Sequence, residues 1–274
     1  MAIVNVTPDS FADGGVRFDP DIAVRDAIEM AAQGADILDI GGESTRPGAA
    51  PLPADEEIAR VVPVIEALRR RIDVPLSVDT YKAVVAERAM DAGAVIVNDV
   101  SGLEYDPALA GVIAARRAAL VLTHNRGRSS EMYRLADYGD VVADIAHELE
   151  DRLKRAEADG VMREQVIVDP GLGFAKRAEH TFEAIAGQAD LASLKRPVLV
   201  GPSRKSYLKA ALGDVPADER LWGTAAAVTA SILFGAHIVR AHDVAEILQV
   251  VRVADAIRAA DERRRLRKAA QTST

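Results

Sequence analysis

Eight short apolar runs punctuate the chain: Ala2–Asn5, Ile37–Ile40, Leu76–Asp79, Val95–Asn98, Leu120–Thr123, Val166–Asp169, Val198–Gly201 and Ile238–Arg240. They are rich in Val, Ile and Leu and lack the strict alternation of a half-exposed antiparallel strand. They therefore read as parallel strands buried on both faces. Between them lie helical patterns with apolar residues three and four apart. Ile58, Val61, Val62, Ile65 and Leu68 form one such stripe, and Val141, Ile145, Leu149 and Leu153 another. Pro63 falls inside the first stripe and predicts a kink or a break there. Eight strand-then-helix units with no shift of composition predict an α/β protein, a single (β/α)8 TIM barrel over residues 1–274. A doubly wound open sheet is the alternative; the count of eight and the lack of an inserted block favour the barrel.

Composition refines this picture in two ways. Hydrophobic residues make up 49% and charged residues 28%, enough apolar material for a sizeable core, yet aromatics reach only 4%. The core is therefore expected to be aliphatic sheet packed against small-residue helices. The formal net charge of −8 speaks against nucleic acid or an acidic membrane as partner, so an anionic substrate needs a local basic site. No cysteine is present, which excludes disulfides and thiolate-bound metals. No segment has 18 apolar residues in a row, and a cytoplasmic location is expected. The basic tail Arg263, Arg264, Arg265 and Arg267 reads as a solvated helix end.

The candidate chemistry lies where the runs end. In order these ends carry Asn5, Asp39, Asp79, Asn98, Thr123 with His124, Asp169, Ser203-Arg204-Lys205, and Arg240 with His242. In a barrel the C-terminal ends of the strands converge on one mouth, where active sites are built. Asp79, Asn98 and Asp169 offer acceptors and an amide suited to a flat heterocycle. Arg46, Arg240 and His242 offer donors suited to phosphate. Asn5, with a neutral oxygen, could complete the shell of a hard cation such as Mg2+ held mostly by phosphate and water. The stretch Asp39 to Gly48 joins two turn-forming glycines to the hydroxyl of Thr45 and the guanidinium of Arg46, with Pro47 stiffening the turn. Asp39 could belong to the site or brace Arg46 from behind, and Glu43 is open. His124 could line the pocket or be a satisfied core histidine. His147 and His180 lie in helical patterns and are expected at the surface, and His237 toward the opposite end of the barrel.

Several of these stretches together resemble the dihydropteroate synthases. They are Val4-Asn5-Val6-Thr7-Pro8-Asp9-Ser10-Phe11, Asp13-Gly14-Gly15, Asp39 to Gly48, Ser77-Val78-Asp79-Thr80, Asn98-Asp99-Val100, Asp169-Pro170-Gly171-Leu172-Gly173-Phe174, Ser203-Arg204-Lys205 and Arg240-Ala241-His242-Asp243. The resemblance runs nearly end to end. It implies a (β/α)8 barrel that condenses a dihydropterin methyl diphosphate with p-aminobenzoate, releasing dihydropteroate and diphosphate in folate synthesis. It implies that Asp79, Asn98, Asp169 and Lys205 hydrogen-bond the pterin. Thr45, Arg46, Arg240 and His242 would surround the diphosphate, with Asn5 on Mg2+. Ser203 and the stem of Lys205 would line the p-aminobenzoate site, with Phe174 among the substrate contacts. Asp79, Asp169, Lys205 and Arg240 would carry the catalysis. Loops around Phe11–Asp13 and Thr45–Pro47 would close over the site. The family further implies a homodimer through the last barrel helices and competition by sulfonamides.

Three departures stand out. The first strand begins at the first residues, where members usually carry a short lead. Thr123-His124-Asn125 stands where members often have Met-His-Met, giving the pterin a smaller, more polar neighbour. Ala12 replaces a commoner serine. The rival activities are a pterin-dependent methyltransferase and a non-catalytic pterin-binding homologue. The phosphate-binding residues argue against the methyltransferase.

Overall fold

The computed structural model describes residues 1–7, 20–44, 51–128 and 131–272. Thr45, Arg46, Pro47 and the Phe11–Asp13 stretch lie outside them. Eight parallel strands follow in order: β1 Ala2–Asn5, β2 Leu38–Gly41, β3 Leu76–Asp79, β4 Ile96–Asp99, β5 Ala119–Thr123, β6 Val166–Asp169, β7 Leu199–Val200 and β8 Ile238–Val239. The first six form one sheet in sequence order, and β7 pairs with β8. Parallel bridges from Val168 to Val198 and from Ala2 to Ala241 join these pieces. Ile3 N donates to the Ala241 carbonyl at 3.0 Å and Val168 N to the Pro197 carbonyl at 2.9 Å. Every strand thus bonds to a neighbour on each side, and the sheet is a closed barrel. The expected strands differ from the observed ones by a residue or so at their ends.

Helices α1 Pro20–Ala32, α2 Ala54–Arg69, α3 Ala83–Ala92, α4 Leu109–Arg116, α5 Val141–Ala158, α6 Ala178–Ala186, α7 Lys209–Leu212, α8 Leu221–Leu233 and α9 Val244–Thr272 follow the strands. Alternation along each strand sorts the side chains into two environments. Leu38 and Ile40, Leu76 and Val78, Leu120 and Leu122, and Val166 and Val168 point outward into the large aliphatic layer shared with the helices. Ile96, Val121, Leu199, Ile37, Ile167 and Ile238 point inward and fill the lower barrel. The remaining inward positions nearer the C-terminal ends are polar, which places the site.

Helix α5 begins where Asp140 accepts from Val142 N and Ala143 N, at 3.0 and 3.1 Å. It buries Val141, Ile145, Leu149 and Leu153, the stripe expected from spacing. Helix α2 differs from expectation, because it runs unbroken through Pro63. Pro63 and Ala59, whose carbonyl loses its donor, are both on the exposed face. Water can serve that carbonyl, so the proline is tolerated. Its buried stripe includes Val64 where Val62 was expected. No helix among the described residues is long and apolar enough to cross a membrane.

Leu149 is fully buried between α5 and the barrel. Leu149→Ala is expected to lower unfolding free energy by about 2–5 kcal/mol. Val84→Ala on the exposed face of α3 should cost less than about 0.5 kcal/mol. Urea unfolding of the two variants measures the contrast.

Candidate active site

The inward polar residues converge at the C-terminal end of the barrel. Asn5 pairs in register with Gly41, Gly41 with Asp79, and Asp79 with Asn98, so four adjacent strands bring one level of the mouth together. Gly41 leaves room for its neighbour: a Cβ there would sit 3.4 Å from Asp79 Cβ. Around the ring Thr123 pairs with Asp169. Asn5 is exposed at its strand end.

Asp39, one step deeper, is the hub of this level. Its Oδ2 accepts from Arg240 Nε at 2.6 Å and from Asn98 Nδ2 at 2.8 Å. Arg240 Nη2 also donates to Asp79 Oδ2 at 2.8 Å. One guanidinium therefore spans two carboxylates, in the paired geometry that arginine favours. Burial pushes the Asp79 carboxyl up to about 7; Arg240 opposes this and the nearby Asp39 charge adds to it. Burial works against the Arg240 cation, but Asp39 and Asp79 more than offset it and its pKa is raised. Asp39 thus braces Arg240, where Arg46 had been the expected partner.

The opposite wall is built from β6 and the loop after β7. Asp169 Oδ1 accepts from Gly171 N at 2.7 Å, and burial raises its carboxyl while Lys205 pulls the other way. Burial pushes Lys205 down to about 8, with Asp169 opposing. Lys205 Nζ donates to the Leu172 carbonyl and lies 4.1 Å from the centre of the Phe174 ring. Gly171 has a φ of +66°, and a Cβ there would sit 1.9 Å from the His124 carbonyl oxygen, so only glycine fits. Ser203 is buried, with Oγ 2.9 Å from His242 Nδ1. Arg204, between Ser203 and Lys205 in the motif, turns away: Nε bonds Asp243 Oδ2 at 3.1 Å and locks the β7 loop to the β8 loop.

Other expectations sort as follows. His124 is a satisfied core histidine, fully buried, with Nε2 3.1 Å from Glu148 Oε2 and Nδ1 2.8 Å from Lys176 Nζ. His147 is exposed as expected. His180 is not simply a surface residue, because its ring packs edge-on against Tyr138 at 5.0 Å. His237 precedes β8 and lies exposed beside the lower strand ends, where its Nδ1 accepts from Val198 N. Glu43 is held just after β2: it pairs with Lys82 and accepts from the Tyr81 hydroxyl at 2.9 Å. Thr123 is fully buried and its hydroxyl has no partner among the described residues. Sequence reasoning missed Lys176, whose signal was a lysine two residues after the glycine-rich turn. Among the described residues no group of three acidic or histidine side chains could hold a metal. Asn5, exposed at its strand end, presents a neutral carboxamide oxygen, a hard donor that would fit a cation keeping phosphate and water ligands.

A closed (β/α)8 barrel with this mixed floor of carboxylates, amide and lysine has the form of a pterin-binding enzyme. The chain belongs to that family: the pterin binding enzyme model matches residues 1–242. It is 45% identical to a dihydropteroate synthase of Bacillus subtilis, covering 94% of this chain and 87% of the relative. A dihydropteroate synthase structure from Yersinia pestis, in a complex with a sulfonamide drug, superposes with a TM-score of 0.88 at 39% identity, covering 95% and 93%. One from Xanthomonas albilineans, in complex with 7,8-dihydropteroate, gives 0.85 at 38% identity, covering 94% and 93%.

Asp39→Ala is expected to destabilise the fold by about 3–5 kcal/mol, because it strips a buried cation of one partner; urea unfolding measures it. Asp79 also predicts a pH effect. Between its unfolded value of 3.8 and its folded value of about 7 the folded chain binds the extra proton. Its contribution to stability therefore falls as pH rises through that window. Asp79→Asn should remove this part of the slope in unfolding curves taken from pH 4 to 8.

Proposed function

We propose that the protein is a dihydropteroate synthase, joining a dihydropterin methyl diphosphate to p-aminobenzoate with release of diphosphate. The observation that carries the proposal is the Asp39–Arg240–Asp79 constellation with Asn98 beside it, on a chain 45% identical to a dihydropteroate synthase. A pterin presents ring N–H donors and a carbonyl acceptor in one plane. Asp79, Asp169 and Asn98 supply matching acceptors and a donor, and Lys205 supplies a cation. Arg240 keeps guanidinium hydrogens beyond those it gives Asp39 and Asp79, and with His242 it meets the diphosphate. Thr45 and Arg46 complete that end.

The chemistry follows from these placements. The bond from the pterin methylene carbon to the diphosphate oxygen breaks, and its electron pair leaves with diphosphate. Arg240 is placed to favour that charge, since donors aimed at developing charge do most in a water-poor site. The methylene cation is conjugated with the pterin ring, and the Asp79 and Asp169 carboxylates hold that ring and favour its positive charge. The arylamine nitrogen then donates its lone pair to form the new C–N bond and gives up its proton to water. A neutral arylamine is nucleophilic enough that no strong base is required. Ser203, Phe174 and the Lys205 stem orient it. Mg2+, held at Asn5, would add neutralisation of the leaving group's charge.

The absence of cysteine supports a reducing cytoplasm as its setting. Exposed Trp222 on α8 and Val253 and Ile257 on α9 support a homodimer through those helices.

Diphosphate release should require the dihydropterin diphosphate, p-aminobenzoate and Mg2+ together, and a sulfonamide should compete with p-aminobenzoate. Release no faster than background in the complete mixture would end the proposal. Arg240→Ala should weaken binding of the diphosphate substrate about ten- to a hundredfold, the worth of a hydrogen bond between charged groups. Isothermal titration measures it, and unchanged affinity would overturn the assignment of Arg240 to the diphosphate.

A further inference from the structure

The segment from Gly171 to Lys176 forms a shelf under Lys205. Leu172 accepts from Lys205 Nζ, the Phe174 ring lies 4.1 Å from it, and a Cβ on Gly173 would sit 3.3 Å from Lys205 Cδ. The shelf ends in a conformation its sequence does not favour. Ala175 is fully buried and has a φ of +47°, in the left-handed region disfavoured for any residue with a Cβ. Such a residue persists only where its surroundings fix it.

Here both peptide planes flanking Ala175 are fixed by side-chain donors. Lys176 Nζ donates to the Phe174 carbonyl at 3.1 Å, holding the plane before it. The Tyr138 hydroxyl donates to the Ala175 carbonyl at 2.9 Å, holding the plane after it. The two donors are braced by one another. Lys176 also bonds His124 Nδ1, which leaves Nε2 as the protonated nitrogen facing Glu148. Glu148 Oε1 accepts from Arg126 Nε at 2.9 Å, and the Arg126 guanidinium lies 3.9 Å from the centre of the Tyr138 ring. The loop of contacts closes on itself. Lys176 is 1% exposed and burial holds its amine well below the usual lysine range, so its N–H groups are out of reach of bulk water and depend on these partners.

We propose that Lys176 and Tyr138 are positioning residues for the arylamine: by holding the two peptide planes about Ala175 they fix the shelf that aims Lys205 and the Phe174 ring at the arylamine site. The proposal rests on the dihydropteroate synthase reading and adds a control of one substrate's site.

The test uses Lys176→Met and Tyr138→Phe, each alone and combined with Ala175→Gly, since glycine adopts positive φ without help. In Lys176→Met the KM for p-aminobenzoate should rise about tenfold, and in Tyr138→Phe by a smaller factor, as Lys176 makes two of these bonds and Tyr138 one. The KM for the dihydropterin diphosphate should rise by a smaller factor in both, because Lys205 is one of four pterin contacts whereas Phe174 and the Lys205 stem are two of the three arylamine contacts. Ala175→Gly should restore most of the loss. An unchanged arylamine KM, an equal rise in both KM values, or no restoration by Ala175→Gly would overturn the proposal. Tyr138→Phe keeps its ring against Arg126 and His180, so it serves if Lys176→Met does not fold. Turnover by the parent chain tests the reading itself. A parent chain that releases no diphosphate ends the reading and the arylamine role with it. Urea unfolding tests the clamp separately, because the loss from Tyr138→Phe should shrink in the Ala175→Gly background, and an equal loss in both backgrounds would overturn the clamp.

Discussion

The carboxylate of Asp39 sets the arrangement on which the mouth of the barrel depends. It is fully buried among inward-facing side chains, where a lone charge would be strongly disfavoured. Its cost is offset by geometry: Arg240 and Asn98 both donate to the same oxygen, at 2.6 and 2.8 Å. Those two bonds fix the amide at the end of β4 and the guanidinium just after β8. Arg240 in turn reaches Asp79. The group therefore joins two carboxyls and one guanidinium, with Asp39 at its centre. Closure of the barrel makes this possible, because Ala241, next to Arg240, bridges to Ala2 and brings β8 against β1.

The charge pattern of the site is consistent with its proposed task. A chain with net charge −8 repels an anion at long range, so attraction must be local. Cationic and donor groups gather on the β7–β8 side of the mouth, at Lys205, Arg240 and His242, while carboxylates lie on β2, β3 and β6. Burial raises the Asp79 and Asp169 carboxyls and lowers Lys205, so these three groups sit nearer neutrality than they would in water. A heterocycle with donors and a partial positive charge relieves the first group, and an anionic leaving group relieves the cations.

Much of the site was legible in the chain because parallel strands buried on both faces have little tolerance for polar residues. Asp79, Asn98 and Asp169 stood out as polar ends of apolar runs, and alternation placed them in the lumen. What stayed illegible involved partners supplied from elsewhere. Nothing local tells Asp39 that its cation lies 201 residues away. His124 bonds Glu148 on α5 and Lys176 after β6, partners that no local pattern ties to it. Pro63 misled for a similar reason: which face of α2 meets water decides whether a proline breaks it. Arg204 shared a motif with two pocket residues, yet the positive φ of its backbone, 58°, turned its side chain onto Asp243.

The two halves of the pocket are consequently held by different means. The half built on β2, β3, β4 and β8 is fixed inside the barrel, by strand register and by charges the lumen cannot otherwise accommodate. The half built on the segment after β6 is fixed from outside, by donors from the α5 side of the barrel acting on a left-handed Ala175. Rigid strands deliver the functional groups of the first half at spacings that register dictates, which suits recognition of a planar ring. The second half depends on two side-chain donors, Lys176 and Tyr138, so a change in either can shift Lys205 and Phe174 without disturbing the barrel. By this logic the arylamine end can vary largely apart from the heterocycle end, because the constraints on each share only Asp169, which touches the turn through Gly171, and Lys205.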